Sequence, residues 1–415
     1  YQNSVLIHVT LVPYLKASGE LKTKPTQQSV KALQGMGISP DVIVCRTEVP
    51  LEDGIESKIA LFCNVPEDHV LQNLDVEYLY EAPLAMEKER LAHVVCECLH
   101  LPCPEPQLGD WKQMVDALKN PTSEVMIALV GKYIQLHDAY LSVMEALKHG
   151  GIANRTKVTI KWVDSESSKP EALDDTFAGV DGIIIPGGFG SRGTEGMILA
   201  ANYARENKIP FLGICLGMQM AMVAFARNVL GYADANSSEL DPETTHPVVD
   251  LMPDQNGVEN LGGTLRLGSY PCVLDKKSKA YSLYGTDMIN ERHRHRFEIN
   301  NDYRDDFTSH GMMISGQSPD GHIVEMIELP DHPFYVGIQA HPEFKSRPNH
   351  AHPLFAGFVE SAEEQGVLRR AKKLLMKRNH LSEPEAHRYL QKTSMDTGRT
   401  MAESAHMVTM LIQED

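Results

Sequence analysis

At 415 residues, 42% hydrophobic and 23% charged, the chain has the balance of a folded globular protein, and it is too long for one ordinary core, so two or three domains are expected. A formal net charge of −17 argues against broad nucleic-acid binding by the whole molecule. No apolar run is long enough to cross a bilayer, and seven cysteines without paired spacing indicate reduced thiols, so a cytoplasmic protein with no membrane contact is expected. The start, Tyr1-Gln2-Asn3-Ser4, carries no signal-peptide pattern and no initiator Met, which suggests that residues precede it. The charge is uneven: from Val367 onward nine Lys and Arg face six Asp and Glu, a net +3, which leaves −20 on the preceding 366 residues. Cys96, Cys98 and Cys103 cluster, but C-x-C-x4-C lacks the paired geometry of common zinc modules, and no metal site is expected in this chain.

In chain order, Val5 to Val9 and Val42 to Val44 read as buried strands with a short helix around Ser29 to Leu33 between them, an α/β pattern that looks incomplete. A long helical pattern follows from Leu84 to Leu99, and Pro102-Cys103-Pro104-Glu105-Pro106 opens a linker. The expected divisions are 1–108 for this first part, 109–123 for the linker, 124–362 for a second domain and 363–415 for a tail. The second domain reads as a doubly wound sheet: Val125 to Val130 strand, Asp138 to His149 helix, Val158 to Val163 strand, Gly182 to Ile185 strand. On such sheets ligands bind beyond the carboxyl ends of the strands, so the residues just after each strand carry functional weight.

Three strand ends are informative. Phe211-Leu212-Gly213-Ile214-Cys215-Leu216-Gly217-Met218-Gln219 runs an apolar strand into G-x-C-x-G and a helix, the thiol form of a nucleophile elbow, where a helix N-terminus favours the thiolate. Read alone, it is equally a buried Cys in a Gly-flanked turn. Pro186-Gly187-Gly188-Phe189-Gly190 frees backbone N–H groups for an oxyanion hole, or is simply a turn. Val336 to Ala340 leads as a strand into His341-Pro342-Glu343, a base with a carboxylate to orient it. Together the three supply nucleophile, oxyanion donors, base and orienter.

On these motifs residues 124 to 360 resemble the class I glutamine amidotransferases. The resemblance implies that Cys215 forms a glutamyl thioester and releases ammonia, with N–H groups of Gly188 and Leu216 on the oxyanion and the segment Leu216, Gly217, Met218 and Gln219 beside glutamine. Ala235 to Glu239, Leu261 to Gly268 and Glu291 to Glu298 narrow the likeness to the glutaminase domain of the CTP synthase family. It implies that Glu239 and Arg296 hold the amino-acid end of L-glutamine, a carboxylate meeting the α-ammonium and a guanidinium the α-carboxylate. The first part is similar to the later half of that family's ligase domain, so Lys22, Thr23, Lys24, Pro25, Thr26, Gln27 and Lys58 are implied to bind UTP or CTP, and Leu74, Asp75 and Val76 to border ATP. ATP, UTP and Mg²⁺ are implied for the complete enzyme, GTP as activator, and a homotetramer as the assembly. No glycine-rich phosphate loop is present, so the ligase half is expected to start in mid-domain and this chain alone to perform the glutaminase half-reaction only.

The tail reads as three helices. Leu368, Ala371 and Leu375 share a face; Ser382-Glu383-Pro384-Glu385 caps a second helix with Ala386, Tyr389 and Leu390; Thr400 to Glu403 caps a third with Ala405, Val408 and Leu411. It resembles the ANTAR module, an RNA-binding antitermination domain, which would place Lys372, Lys373, Lys377, Arg378, Arg388 and Lys392 toward phosphates. Two functions are therefore expected in competition: a glutamine-hydrolysing CTP synthase, and an RNA-binding regulator whose upstream domains sense glutamine or nucleotide.

Overall fold

The protein is described by a computed structural model over residues 3–251 and 266–413. It divides into two compact units, one ending at Asp116 and the other beginning at Ala117.

The first unit has a parallel sheet of Ile7–Leu11, Val42–Thr47 and Val70–Leu74, with Val42–Thr47 in the middle and its first four residues buried. The third strand escaped the sequence reading because Gln72 and Asn73 dilute its apolar signal. The helix expected near Ser29 runs over Lys24–Gly35, with Pro25 in its first turn, where no amide hydrogen is needed. The expected long helix splits into Ala82–Lys88 and Leu91–Cys98, because Arg90 adopts φ 60 and a left-handed residue cannot continue a right-handed turn. Much of the expected linker is the helix Gly109–Lys119, anchored by Trp111, whose indole N–H donates to the Tyr80 carbonyl at 2.8 Å.

The second unit is built on a nine-stranded sheet. Its order is Met288–His295, Arg266–Leu274, Met313–Gln317, Val324–Glu328, Tyr335–Ile338, Phe211–Ile214, Gly182–Ile185, Ser123–Gly131 and Thr156–Asp164. The last five run parallel and the first four pair antiparallel. Helices Thr194–Glu206 and Leu216–Phe225 cover one face, while Leu141–Ala153 and the start of Pro353–Asn379 cover the other. Ile183 and Ile185 enter the first core and Ile184 the second, which is why these strands read as unbroken apolar runs. Because the parallel strands share one direction, Lys132, Gly187, Cys215 and His341 emerge along one edge.

Pro353–Asn379 is a single helix of 27 residues, so the expected division at 362/363 between the second domain and the tail falls inside it. Its one interior glycine beyond that point, Gly366, has a packing purpose, since a Cβ there would lie 2.5 Å from Asp181 Oδ1. One turn on, Arg369 bridges to that carboxylate at 2.6 Å and donates to the carbonyls of Val180 and Gly179 at 2.5 and 2.9 Å. The other Asp181 oxygen accepts the Met126 N–H at 2.8 Å. Burial nonetheless holds this carboxyl above its ordinary pKa, with Met126 and the arginines pulling the other way. The helical core consists of Ala371, Leu375, Ala386, Leu390, Ala405 and Val408. Ser382 with Glu385, and Thr400 with Glu403, form the expected caps. Tyr389 and Leu411, expected on the packing face, are 47% and 60% exposed; Ala386 and Leu390 already span the narrow stripe that so small a bundle can cover.

Replacing Arg369 with Ala leaves Asp181 buried without its cation and is expected to cost about 2 kcal/mol. Thermal melts of the intact chain check this, and Asp181→Asn in the same background should recover part of the loss.

Candidate active site

Cys215 sits between strand Phe211–Ile214 and helix Leu216–Phe225 at φ 49, a conformation that side chains other than glycine seldom adopt. Its N–H donates to the Ile338 carbonyl at 2.7 Å, tying the elbow to the strand that leads to His341. The flanking glycines are steric necessities: a Cβ on Gly217 would lie 2.1 Å from the Ile185 carbonyl oxygen, and one on Gly213 2.7 Å from the Gly217 oxygen. The helix therefore starts in contact with the neighbouring strand, and the sulfur is placed at its amino end.

His341 enters from the next strand, held by its N–H to the Arg292 carbonyl at 2.7 Å. Its Nδ1 lies 2.8 Å from Glu343 Oε1, with both side chains buried. Burial works against a charged imidazole, but Cys215 and Glu343 outweigh it and raise the pKa to about 10. Nε2 is the nitrogen left for the sulfur; it is buried and makes no well-formed hydrogen bond. Gly187 shows how tightly the three motifs meet, since a Cβ there would be 2.7 Å from His341 Cε1 and 3.4 Å from Cys215 Cβ. Cys215, His341 with its partner Glu343, and the glycine loop thus meet in one place.

Beside the sulfur opens a cavity of about 500 Å³, lined by Gly188, Cys215, Gln219, Glu239, His295 and Arg296 among others. Of the residues expected near glutamine, Leu216, Gly217 and Met218 are not in this lining. The side chains of Leu216 and Met218 belong to the hydrophobic core, and Gly217 abuts Ile185. The expected Arg/His segment is the edge strand Met288–His295, on which Glu291, His293 and His295 turn inward while Arg292 and Arg294 face out. Of Leu261 to Gly268, residues 261–265 lie outside the described residues.

Two buried polar residues at the site escaped the sequence reading. Lys132 follows strand Ser123–Gly131, and its Nζ donates to the carbonyls of Phe189 and Gly190 at 2.8 and 2.7 Å, beneath the glycine loop. Burial lowers its pKa, helped by Arg192 and opposed by Glu239 and Glu166. A charged residue immediately after a buried strand was the available signal. Gln339, fully buried, reaches the Cys215 sulfur at 3.6 Å.

In the first unit, Thr23 precedes helix Lys24–Gly35 without a side-chain cap bond, Lys22 is exposed and paired with Glu20, and Thr26 is buried with its hydroxyl to the Leu11 carbonyl at 3.2 Å. The expected Lys22 to Gln27 loop is thus largely a helix start. Lys58 is exposed on helix Ile55–Cys63. Leu74 ends the third strand, and Asp75 beyond it pairs with Arg46. In the tail Lys372 is engaged by Glu383 at 2.8 Å, whereas Lys373, Lys377, Arg378, Arg388 and Lys392 are exposed.

Comparison with known proteins assigns residues 1–101 to the CTP synthase N-terminus, 135–361 to glutamine amidotransferase class-I and 358–408 to the ANTAR domain. A CTP synthase of Ruminiclostridium cellulolyticum is 60% identical over 363 residues, 88% of this chain and 68% of the relative. One of Clostridium beijerinckii is 57% identical over 364 residues, with the same shares covered. Among solved structures, the glutaminase domain of a Trypanosoma brucei CTPS with bound acivicin is 39% identical at a TM-score of 0.55, covering 57% of this chain and 93% of that one.

Gly217→Ala should destabilise the fold by about 1–3 kcal/mol, since the new methyl meets backbone that cannot rotate away. Denaturant unfolding measures it, and an unchanged midpoint would contradict the packing described.

Proposed function

The chain belongs to the CTP synthase family, and on that premise we propose that it hydrolyses glutamine at Cys215 and supplies the ammonia for ATP-dependent amination of UTP to CTP. The observation that carries this reading is the meeting of Cys215, His341 and Glu343 against Gly187.

His341 takes the thiol proton, and the sulfur attacks the carboxamide carbon of glutamine. The oxygen that becomes negative faces backbone N–H groups of Gly188 and Leu216. The C–N bond breaks as His341 returns its proton to the departing nitrogen, which leaves as ammonia, and the glutamyl group stays on the sulfur as a thioester. Water then adds to the thioester, giving a proton to His341; the C–S bond breaks, the sulfur regains the proton and glutamate departs. Glu343 keeps the imidazole oriented and favours its charged form, consistent with the elevated pKa of about 10. Glu239 and Arg296 line the cavity where they would hold the α-ammonium and α-carboxylate, which selects a free amino acid.

In the first unit Lys22 to Gln27 and Lys58 are assigned to UTP or CTP, and Leu74 to Val76 to ATP. Among the described residues no group of three or more His, Cys, Asp or Glu is arranged to hold a metal ion. A regulator of RNA is not favoured as the whole chain's function, because the likeness to CTP synthases takes in 88% of it. For the tail, the exposed Lys373, Lys377, Arg378, Arg388 and Lys392 are assigned as the cations that would face RNA.

Cys215→Ala is expected to lower glutamine hydrolysis by about 10⁴-fold or more. Glutamate release by the intact purified chain reads this, and undiminished turnover would dismiss the assignment. Lys132→Met, which frees the two carbonyls under the glycine loop, should reduce kcat for glutamine by about 10²-fold. Steady-state kinetics beside a melting curve would separate that effect from unfolding.

A further inference from the structure

Gln339 directly follows the strand Tyr335–Ile338 next to the elbow, fully buried, with its own N–H on the Glu325 carbonyl at 2.9 Å. Burying a primary amide is costly unless its donors and acceptor are used, so its partners matter. One end lies 3.6 Å from the Cys215 sulfur, and the other 3.2 Å from the side-chain amide of Gln219. Oxygen and nitrogen of an amide have nearly the same shape, so the surrounding network must decide which end is which.

It does so from a fixed point. The Phe297 carbonyl can only accept, and the Gln219 amide lies 3.0 Å from it, so Gln219 must turn its NH₂ there. The second hydrogen of that NH₂ goes to Gln339, whose atom on that side is then Oε1. Nε2 of Gln339 is left facing the sulfur. A primary amide nitrogen has hydrogens to give and cannot take the thiol proton.

We propose that Gln339 is a further catalytic residue, donating a hydrogen bond to the Cys215 sulfur and favouring its thiolate, with Gln219 fixing the direction of the donor. The proposal rests on Cys215 as the nucleophile. Donation to the charged form of an acid favours that form, and a neutral amide gives this help without adding a charge or competing with His341 for the proton. The same bond strengthens again when water displaces the sulfur from the thioester and negative charge returns to it. The long approach of 4.0 Å from the sulfur to the Arg294 carbonyl, an acceptor suited to S–H, is a weak counterweight.

The test follows iodoacetamide labelling of Cys215 across pH in the full chain, resolved by peptide mass spectrometry because six other cysteines are present. Gln339→Met keeps the volume and removes the donor. It is expected to raise the labelling midpoint by about one pH unit, with about tenfold slower labelling below both midpoints. Gln219→Met releases the orientation of Gln339 and should move the midpoint the same way by less. A wild-type midpoint in folded Gln339→Met overturns the proposal; should that variant not fold, a wild-type midpoint in Gln219→Met does so. Labelling reports the sulfur's surroundings whether or not glutamine turns over, so failure here is distinct from hydrolysis persisting in Cys215→Ala.

Discussion

The site depends on where three parallel strands stop. Ile185 is paired with Gly213, and Ile214 with Ile338, so the glycine loop, the elbow and the segment leading to His341 all leave the sheet within a residue or two of one another. Backbone hydrogen bonds enforce that register, and a slip of one residue would turn every buried isoleucine to the wrong face. The elbow then presses toward the loop until only hydrogen fits on Gly217. Convergence of sulfur and imidazole follows from the sheet and needs no long-range attraction between the two groups.

Behind the sulfur the interior is polar, which is unusual beside two large apolar cores. The inward residues of the edge strand form a chain: His293 Nδ1 lies 3.1 Å from His295 Nε2, and His295 Nδ1 3.1 Å from the Phe297 carbonyl that also receives Gln219. Burial, with Arg266 and other cationic neighbours, pushes both imidazoles far below their ordinary range, to about 2 for His293 and about 3 for His295. Both are therefore neutral at physiological pH, while His341, a few residues away in space but beside a carboxylate and a thiol, is driven the opposite way. One residue type takes opposite protonation states because its neighbours differ: neutral in the edge strand, favoured as the cation at the end of the sheet.

What was legible in the sequence followed from local chemistry. Gly213 and Gly217 announce the elbow around Cys215 because a side chain at either would meet backbone, and Ser382 with Glu385 announces a helix start because the cap is completed within four residues. Lys132 was legible only as a charged residue just after a buried strand, and Gln339 not at all, since each takes its role from partners more than fifty residues away, the carbonyls at 189 and 190 for one and the thiol at 215 for the other. Periodicity also misjudged breaks. It ran one helix through Arg90, whose left-handed φ leaves no mark on hydrophobic spacing, and it divided Pro353–Asn379 near Ala362, where the face being buried changes but the backbone does not.

That change of face explains how the tail is joined. The first turns of Pro353–Asn379 bury Leu354, Phe355 and Phe358 against the sheet, and its later turns bury Ala371 and Leu375 in the small helical core, so one rigid rod serves two cores in succession. Rigidity alone would leave the rod's direction dependent on its first turns. Gly366 and Arg369 add a second point of attachment at Asp181, immediately before the strand Gly182–Ile185. That strand is four residues long and ends at the glycine loop, so the latch and the loop lie at opposite ends of a single buried strand. A segment so short, hydrogen-bonded on both sides, has little freedom to adjust at one end without displacing the other. The tail is thereby held to the strand that leads into the Gly187 to Gly190 loop.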